Sequence, residues 1–272
     1  MEILRAENIS KKIGRKQILN DMTLSINQGE HTVFLGMNGC GKSIFLSILA
    51  GYRTYESGEI YWYGEKVTND EIDEVRKNIG FISSSYFDRY YRYESVLEIV
   101  LSGLSGRLGL EKMPSPAQVR RAKELLNALE IPAGGRYPYE MLSKGQRQKA
   151  LIARGLINNP KILILDEPCE GLDILARSYF LQILTSIAEE SQTTMLLVSH
   201  YPEEILPFFK KAVLMDKGRI YAQGAIDKVF CAESIGKCWR VPVEVDYKNE
   251  KWNFKVKPQE RITAAQWLKE VD

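Results

Sequence analysis

The chain holds no continuous apolar run long enough to span a bilayer, so any membrane role falls to a partner. Its start, with Glu2 and Arg5, lacks the basic stretch and apolar stretch of a secretory leader, and a cytosolic location is expected. Cysteine is scarce and unpatterned: Cys40, Cys169, Cys231 and Cys238 show no C-x-x-C spacing and read as reduced thiols. Net charge is nearly absent as well. A formal +2 excludes a strong field for nucleic acid or an anionic membrane and leaves only local patches. Histidine occurs twice, and there are no internal repeats, low-complexity tracts or heptads.

What the chain does have is apolar content, 44% over 272 residues, ample for one large domain or two small ones. Its most informative stretch is Gly36-Met37-Asn38-Gly39-Cys40-Gly41-Lys42-Ser43-Ile44, which matches G-x-x-x-x-G-K-[ST]. The apolar Thr32-Val33-Phe34-Leu35 precedes it and an apolar-periodic segment from Ser43 to Leu49 follows, so the context is strand, glycine loop and helix start. Glycines let the backbone wrap an anion, successive N–H groups and the helix dipole point at phosphate, and Lys42 adds a mobile charge. The Ser43 hydroxyl suits Mg²⁺.

Around this loop the pattern reads as follows. Ile3 to Ile9 and Met22 to Ile26 alternate in part and suggest short antiparallel strands, Ser57 to Gly64 a strand and turn, and Ile79 to Ser83 a buried strand. From Ser84 helices take over. Ser95-Val96-Leu97-Glu98 is a capping box opening a helix to Leu104, and Ala122, Leu125, Leu126 and Leu129 predict another over 117–130. Lys161 to Glu167 is a buried parallel strand ending in two carboxylates, and Met195 to His200 repeats that form. Asp216-Lys217-Gly218 centres a hairpin, and beyond Ala225 a second hairpin around Lys248-Asn249-Glu250 precedes a helix near 264–271. Strands alternating with helices give the α/β class.

Five motifs occur in fixed order: the phosphate loop, Leu142-Ser143-Lys144-Gly145-Gln146, Ile162-Leu163-Ile164-Leu165-Asp166-Glu167, Gly171-Leu172-Asp173, and Val198-Ser199-His200. Together they resemble the ATP-binding-cassette (ABC) ATPases over residues 1–224. The resemblance implies a P-loop NTPase core of RecA-like type, an antiparallel β subdomain, an α-helical subdomain inserted at about 85–155, and a small C-terminal extension at 225–272. ATP and Mg²⁺ are then the expected cofactors. Gly36 to Ile44 would cradle the phosphates, with Ile13 near the base; Ser143, Gly145, Gln146 and Asp173 would meet ATP held by a second copy, in a homodimer that sandwiches two nucleotides. Ser43, Asp166 and Ser84 would serve the metal. Glu167 would be the general base, His200 would contact the γ-phosphate, and Lys42 would stabilise transferred charge.

Some positions depart from the family pattern. Ile13 stands where an aromatic often stacks on adenine, and Ser84 where a glutamine usually senses Mg²⁺ and the membrane partner. Ile44 and Lys144 replace a hydroxyl and a glycine. The expected function is the ATP-hydrolysing subunit of a transporter, peripheral at the inner membrane face and docked on integral membrane subunits through its helical subdomain. Glu94 to Gly103 resembles the matching part of importer ATPases for iron chelates or molybdate. The alternative is a soluble ABC ATPase acting on nucleic acid, the ribosome or a regulatory partner. For it speak Ser84 and the tail, where Lys248, Lys251, Lys255 and Lys257 interleave with Tyr247, Trp252 and Phe254 in what is either a basic-aromatic face or, the reading preferred here, a solvated edge hairpin whose lysines discourage strand pairing.

Overall fold

In a computed structural model of the chain, residues 1–91, 93–131 and 135–257 are described. Apolar Ile3, Leu4, Ala6 and Ile9 start β1 (Glu2–Ile13), and Gly14 at φ +58° turns the chain into β2 (Lys16–Asn27). Both strands outrun the short segments predicted. The reason lies in the register. Ala6 faces Leu24 and Ile9 faces Met22, which inserts a residue near Asn8; Lys11 faces Leu19, which inserts one near Asp21 on the other strand. Asn8 and Asp21 carry φ of +52° and +53°, and each bulge resets the period-two pattern.

β3 (Thr32–Gly36) feeds the phosphate loop and α1 (Lys42–Leu49), closed by Gly51 in the left-handed region. β4 (Ser57–Trp62) and β5 (Glu65–Lys66) return to the first sheet, whose order is β2-β1-β4-β5, antiparallel throughout. After α2 (Ile72–Asn78) and β6 (Ile79–Ile82) the chain leaves the sheets for α3 (Ser84–Phe87), α4 (Val96–Ser102), α5 (Pro116–Ala128) and α6 (Lys144–Leu156). Capping boxes open α4, α5 and α6 at Ser95, Ser115 and Ser143. The helix expected to reach Leu104 stops at Ser102, and that expected over 117–130 is α5.

β7 (Ile162–Asp166), α7 (Ile174–Glu190), β8 (Thr194–Val198), β9 (Lys211–Asp216) and β10 (Arg219–Ala225) complete a second sheet, order β10-β9-β3-β8-β7-β6. Only β10 runs antiparallel. Every residue of β3, β7 and β8 is buried, as expected of strands covered on both faces. Because β3, β8 and β7 are neighbours, the loops after their C-terminal ends meet at one edge. That edge is where parallel sheets place their sites.

The tail packs against the second sheet through its first helices. Two helices the sequence reading passed over, α8 (Ile226–Val229) and α9 (Ala232–Trp239), bury Phe230, Ile235 and Cys238. They lead to the hairpin β11 (Val243–Lys248) and β12 (Lys251–Val256), turning at Asn249 and Glu250 with positive φ. Trp252 and Phe254 face Phe230 at ring distances of 5.3 and 5.2 Å, while Lys251, Lys255 and Lys257 stay exposed. Trp252 and Phe254 turn inward, whereas Tyr247 stays exposed with the lysines, as a solvated hairpin edge requires. The helix expected at 264–271 lies outside the described residues. Among those residues no helix is long and apolar enough to cross a membrane.

Candidate nucleotide site

Gly41 caps α1 at φ +108°, and a Cβ there would lie 2.7 Å from Leu19 Cδ2, so both backbone and space demand glycine. No side chain caps α1 and no acid lies in its first turn, which leaves its free N–H groups for an anion. Met37, Asn38 and Gly39 are exposed at the loop's crest; Cys40 is buried, and Ile44 is half-buried against the core. The ammonium of Lys42, itself buried, donates to the carbonyls of Gly36 at 2.7 Å and Met37 at 3.2 Å.

The end of β7 supplies two carboxylates with different surroundings. Asp166 is buried and accepts from Ser43 Oγ at 2.7 Å on one oxygen and from Ser83 Oγ at 2.9 Å on the other. Burial pushes its carboxyl up, and the two hydroxyls oppose that shift. Glu167 sits beyond the strand at φ +50°, where a non-glycine residue carries strain, and its N–H donates to Val198 O at 3.0 Å. One of its oxygens lies 2.7 Å from His200 Nε2. That hydrogen bond holds the Glu167 carboxyl below the usual range despite burial. The second histidine, His31, accepts from Met195 N–H through Nδ1 and packs edge-on against Phe208; its role is structural.

The structure links Lys42, Ser43, Asp166, Glu167 and His200 at one edge, while the two serines after β6 point to different partners. The Ser84 hydroxyl donates to Gln148 Oε1 at 2.7 Å, toward α6, and the hydroxyl on Asp166 belongs to Ser83. The two are adjacent in sequence, and only side-chain direction separates them. Ile13 ends β1, half exposed and paired with Lys16.

Ser143 caps α6 by accepting from Gln146 N–H, and Gln146 Oε1 accepts from Ser143 N–H at 3.0 Å. A Cβ on Gly145 would meet ordinary contacts, with Ala176 Cβ at 3.5 Å, so among the described residues no contact requires glycine there. Lys144 lays its side chain against Gly171. Asp173 caps α7, and beyond it Ile174 and Leu175 are 86% and 82% exposed. Sequence reading missed a pair that ties α7 to the His200 loop: Arg177 lies 2.9 Å from buried Glu204, which also accepts from Ser199. The Arg177 contact is an ion pair without aligned hydrogen-bond geometry.

Residues 19–170 match the family described as ABC transporter. The chain belongs to the ABC transporter family. Two relatives show how far the likeness runs. An ABC transporter ATP-binding protein of Bacillus subtilis (strain 168), YlmA, whose role is uncharacterized, is 36% identical over 251 residues, spanning 92% of this chain and 95% of that one. The sulfate/thiosulfate import ATP-binding protein CysA of Pectobacterium atrosepticum is 37% identical over 231 residues, 84% of this chain and 68% of the other. Among solved structures, a dimeric post-hydrolysis state of an ATP-binding cassette bound to ADP and Pi superposes with a TM-score of 0.70 at 26% identity, covering 82% of this chain and 99% of that one. The cassette is therefore an ATP-binding, ATP-hydrolysing subunit of a transporter, with the P-loop NTPase fold.

Proposed function

We propose that two copies of the cassette close head to tail around ATP and Mg²⁺, hydrolyse the nucleotide at Glu167, and drive integral membrane subunits docked on the helical subdomain. Residues 1–224 form the ATPase domain in this reading, 85–155 its helical subdomain and 225–272 the extension; the subunit sits at the inner membrane face. The observation that carries it is the pairing of Glu167 with His200 at 2.7 Å beside the Ser43–Asp166 contact.

Glu167 stays ionised at neutral pH and accepts a proton from water as that water attacks the γ-phosphorus in line. His200 holds the carboxylate in place and reaches the γ-phosphate. Lys42 and the loop N–H groups of Gly39, Cys40, Gly41 and Ser43 stabilise charge on the transferred group, while Met37, Asn38 and Ile44 shape the loop and Ile13 borders the base.

The donors suit a hard dication: Ser43 offers a hydroxyl, and Asp166 a buried carboxylate that accepts from two hydroxyls. Among the described residues no cluster of three His, Cys, Asp or Glu side chains is placed to hold a metal, so in this reading phosphates and water would complete the shell. Bound Mg²⁺ supplies positive charge to the phosphate oxygens.

Ser143, Gly145 and Gln146, with Asp173, face the other copy's ATP. The exposed Ile174 and Leu175 and a glycine that no contact among the described residues requires support this. For the membrane subunits, a groove of about 320 Å³ lined by Lys77, Leu101, Leu104, Leu110 and Met113 lies where α2 meets the helical segment, and Met113 is 94% exposed beside it. Purification of the tagged cassette from detergent extract, with and without nuclease, tests the docking. A multi-span membrane protein retained after nuclease is expected; ribosomes or nucleic acid lost on nuclease treatment, with no membrane partner, would contradict it.

A further inference from the structure

His200 stands on a turn whose two flanking residues are held by side chains from other parts of the chain. β8 ends at Val198, and Ser199, 1% exposed, is the next residue. Its Oγ accepts from Tyr201 N–H at 2.9 Å, so a hydrogen-bonded ring closes around His200. The same hydroxyl donates to Glu204 Oε2, on the short turn at Pro202–Glu204. The other oxygen of Glu204 lies 2.9 Å from Arg177 Nη2, and the Arg177 guanidinium sits 5.0 Å from the centre of the Tyr201 ring. One ion pair thus reaches both flanks of His200. Arg177 is anchored in turn in α7, its N–H donating to Asp173 O at 2.9 Å. From the loop beyond Glu167 the buried thiol of Cys169 faces the same carboxylate, and burial together with that charge pushes the thiol up.

A carboxylate here is a costly way to pack a turn. Glu204 is 2% exposed, and an apolar side chain of similar size would fill the space under β12 without burying charge. An apolar side chain would not, however, accept the Ser199 proton. With Glu204 as acceptor, the lone pairs of Ser199 stay on Tyr201 N–H; without it the hydroxyl is free to rotate toward Tyr201 O, 3.3 Å away. We propose that Arg177 and Glu204 are positioning residues of ATP hydrolysis, fixing through Ser199 the turn that sets where His200 meets Glu167 and the γ-phosphate. The inference rests on His200 as the group that contacts the γ-phosphate. Its Nε2 lies 2.7 Å from Glu167 Oε1, a contact that a shift of about 1 Å breaks, and misplacement on that scale costs on the order of 100-fold in rate.

The test uses the full chain and three readouts: ATP hydrolysis over a range of MgATP concentrations, thermal melting, and nuclear magnetic resonance of ¹³C-labelled histidine. The chain holds two histidines, so the His200 ring signal is assigned by its loss in His200→Gln. Arg177→Met alone strands the Glu204 charge and is expected to lower both melting temperature and kcat. Arg177→Met combined with Glu204→Met replaces the pair by apolar chains and recovers the melting temperature. In that double variant kcat is expected to stay at least about tenfold down with KM for ATP within about twofold, and the His200 signal to move while that of His31 does not. Ser199→Ala leaves the ion pair in place and is expected to lose about tenfold in kcat, the scale of one hydrogen bond to a charged group, so it decides the matter should the double variant not fold. A kcat that recovers with the melting temperature, an unmoved His200 signal, or full turnover in Ser199→Ala overturns the proposal and leaves the pair a stability element. His200→Gln is the control: if it loses turnover while the double variant keeps it, only this inference falls; if it hydrolyses ATP undiminished, the His200 reading falls too.

Discussion

Asp166 and Glu167 are neighbours driven in opposite directions. Burial raises the first and a hydrogen bond from His200 lowers the second, so one suits a cation and the other remains a base. The raised carboxyl has a stability consequence. Below the ordinary aspartate value Asp166 is protonated both folded and unfolded and carries no penalty. As pH rises through the raised value its ionisation opposes folding. Asp166→Asn should therefore raise the melting temperature of the nucleotide-free protein by a few degrees, with the gain absent in acid and constant above neutrality, and should abolish hydrolysis. Scanning calorimetry across pH checks this; a lower melting temperature at neutral pH would refute the desolvation argument. Single residues were readable in the sequence wherever residue type and spacing suffice. Lys42, Ser43, Asp166, Glu167 and His200 all follow from motifs. Ser83 did not, because it and Ser84 are adjacent hydroxyls that differ only in which way the backbone turns each.

Among elements, the capping boxes at Ser95 and Ser143 were legible because a helix start is written within four residues, whereas bulged β1 and β2 were underestimated because Asn8 and Asp21 break the alternation. Long-range ties are the least legible. Arg177 of α7 pairs with Glu204, 27 positions on, and β12 packs against the turn at Pro202–Glu204 just after His200. The loop bearing His200 is thus held from both sides. Glu204 is buried and its carboxyl is pushed up by that burial, so removing its cation leaves an uncompensated charge. Arg177→Met should cost about 3 kcal/mol in urea unfolding at neutral pH. The deficit should shrink in mild acid, where Glu204 takes up a proton; a deficit equal at both pH values would show that packing, not charge, is lost. Nothing in local sequence pattern announces such a pair, since the partners lie 27 positions apart on different elements.

For the whole molecule, the fold follows from strand order. Placing β3, β8 and β7 side by side brings three loops, each from a different part of the chain, to one edge, in line with what the family resemblance of their motifs implied. In the extension the hairpin was legible from its alternation, but its packing was not, because that depends on Phe230 meeting Trp252 and Phe254 across a turn of helix and hairpin. The mechanism stands on two cassettes closing around ATP and on Glu167 hydrolysing it. Light scattering of Glu167→Gln with MgATP, run beside an ATPase assay, tests both halves together. The expected result is a shift from one chain to two, ATP retained in the dimer, and turnover reduced by about 100- to 10,000-fold, the range of a general base. A variant that binds ATP yet stays monomeric, or one that hydrolyses ATP undiminished, would contradict the mechanism.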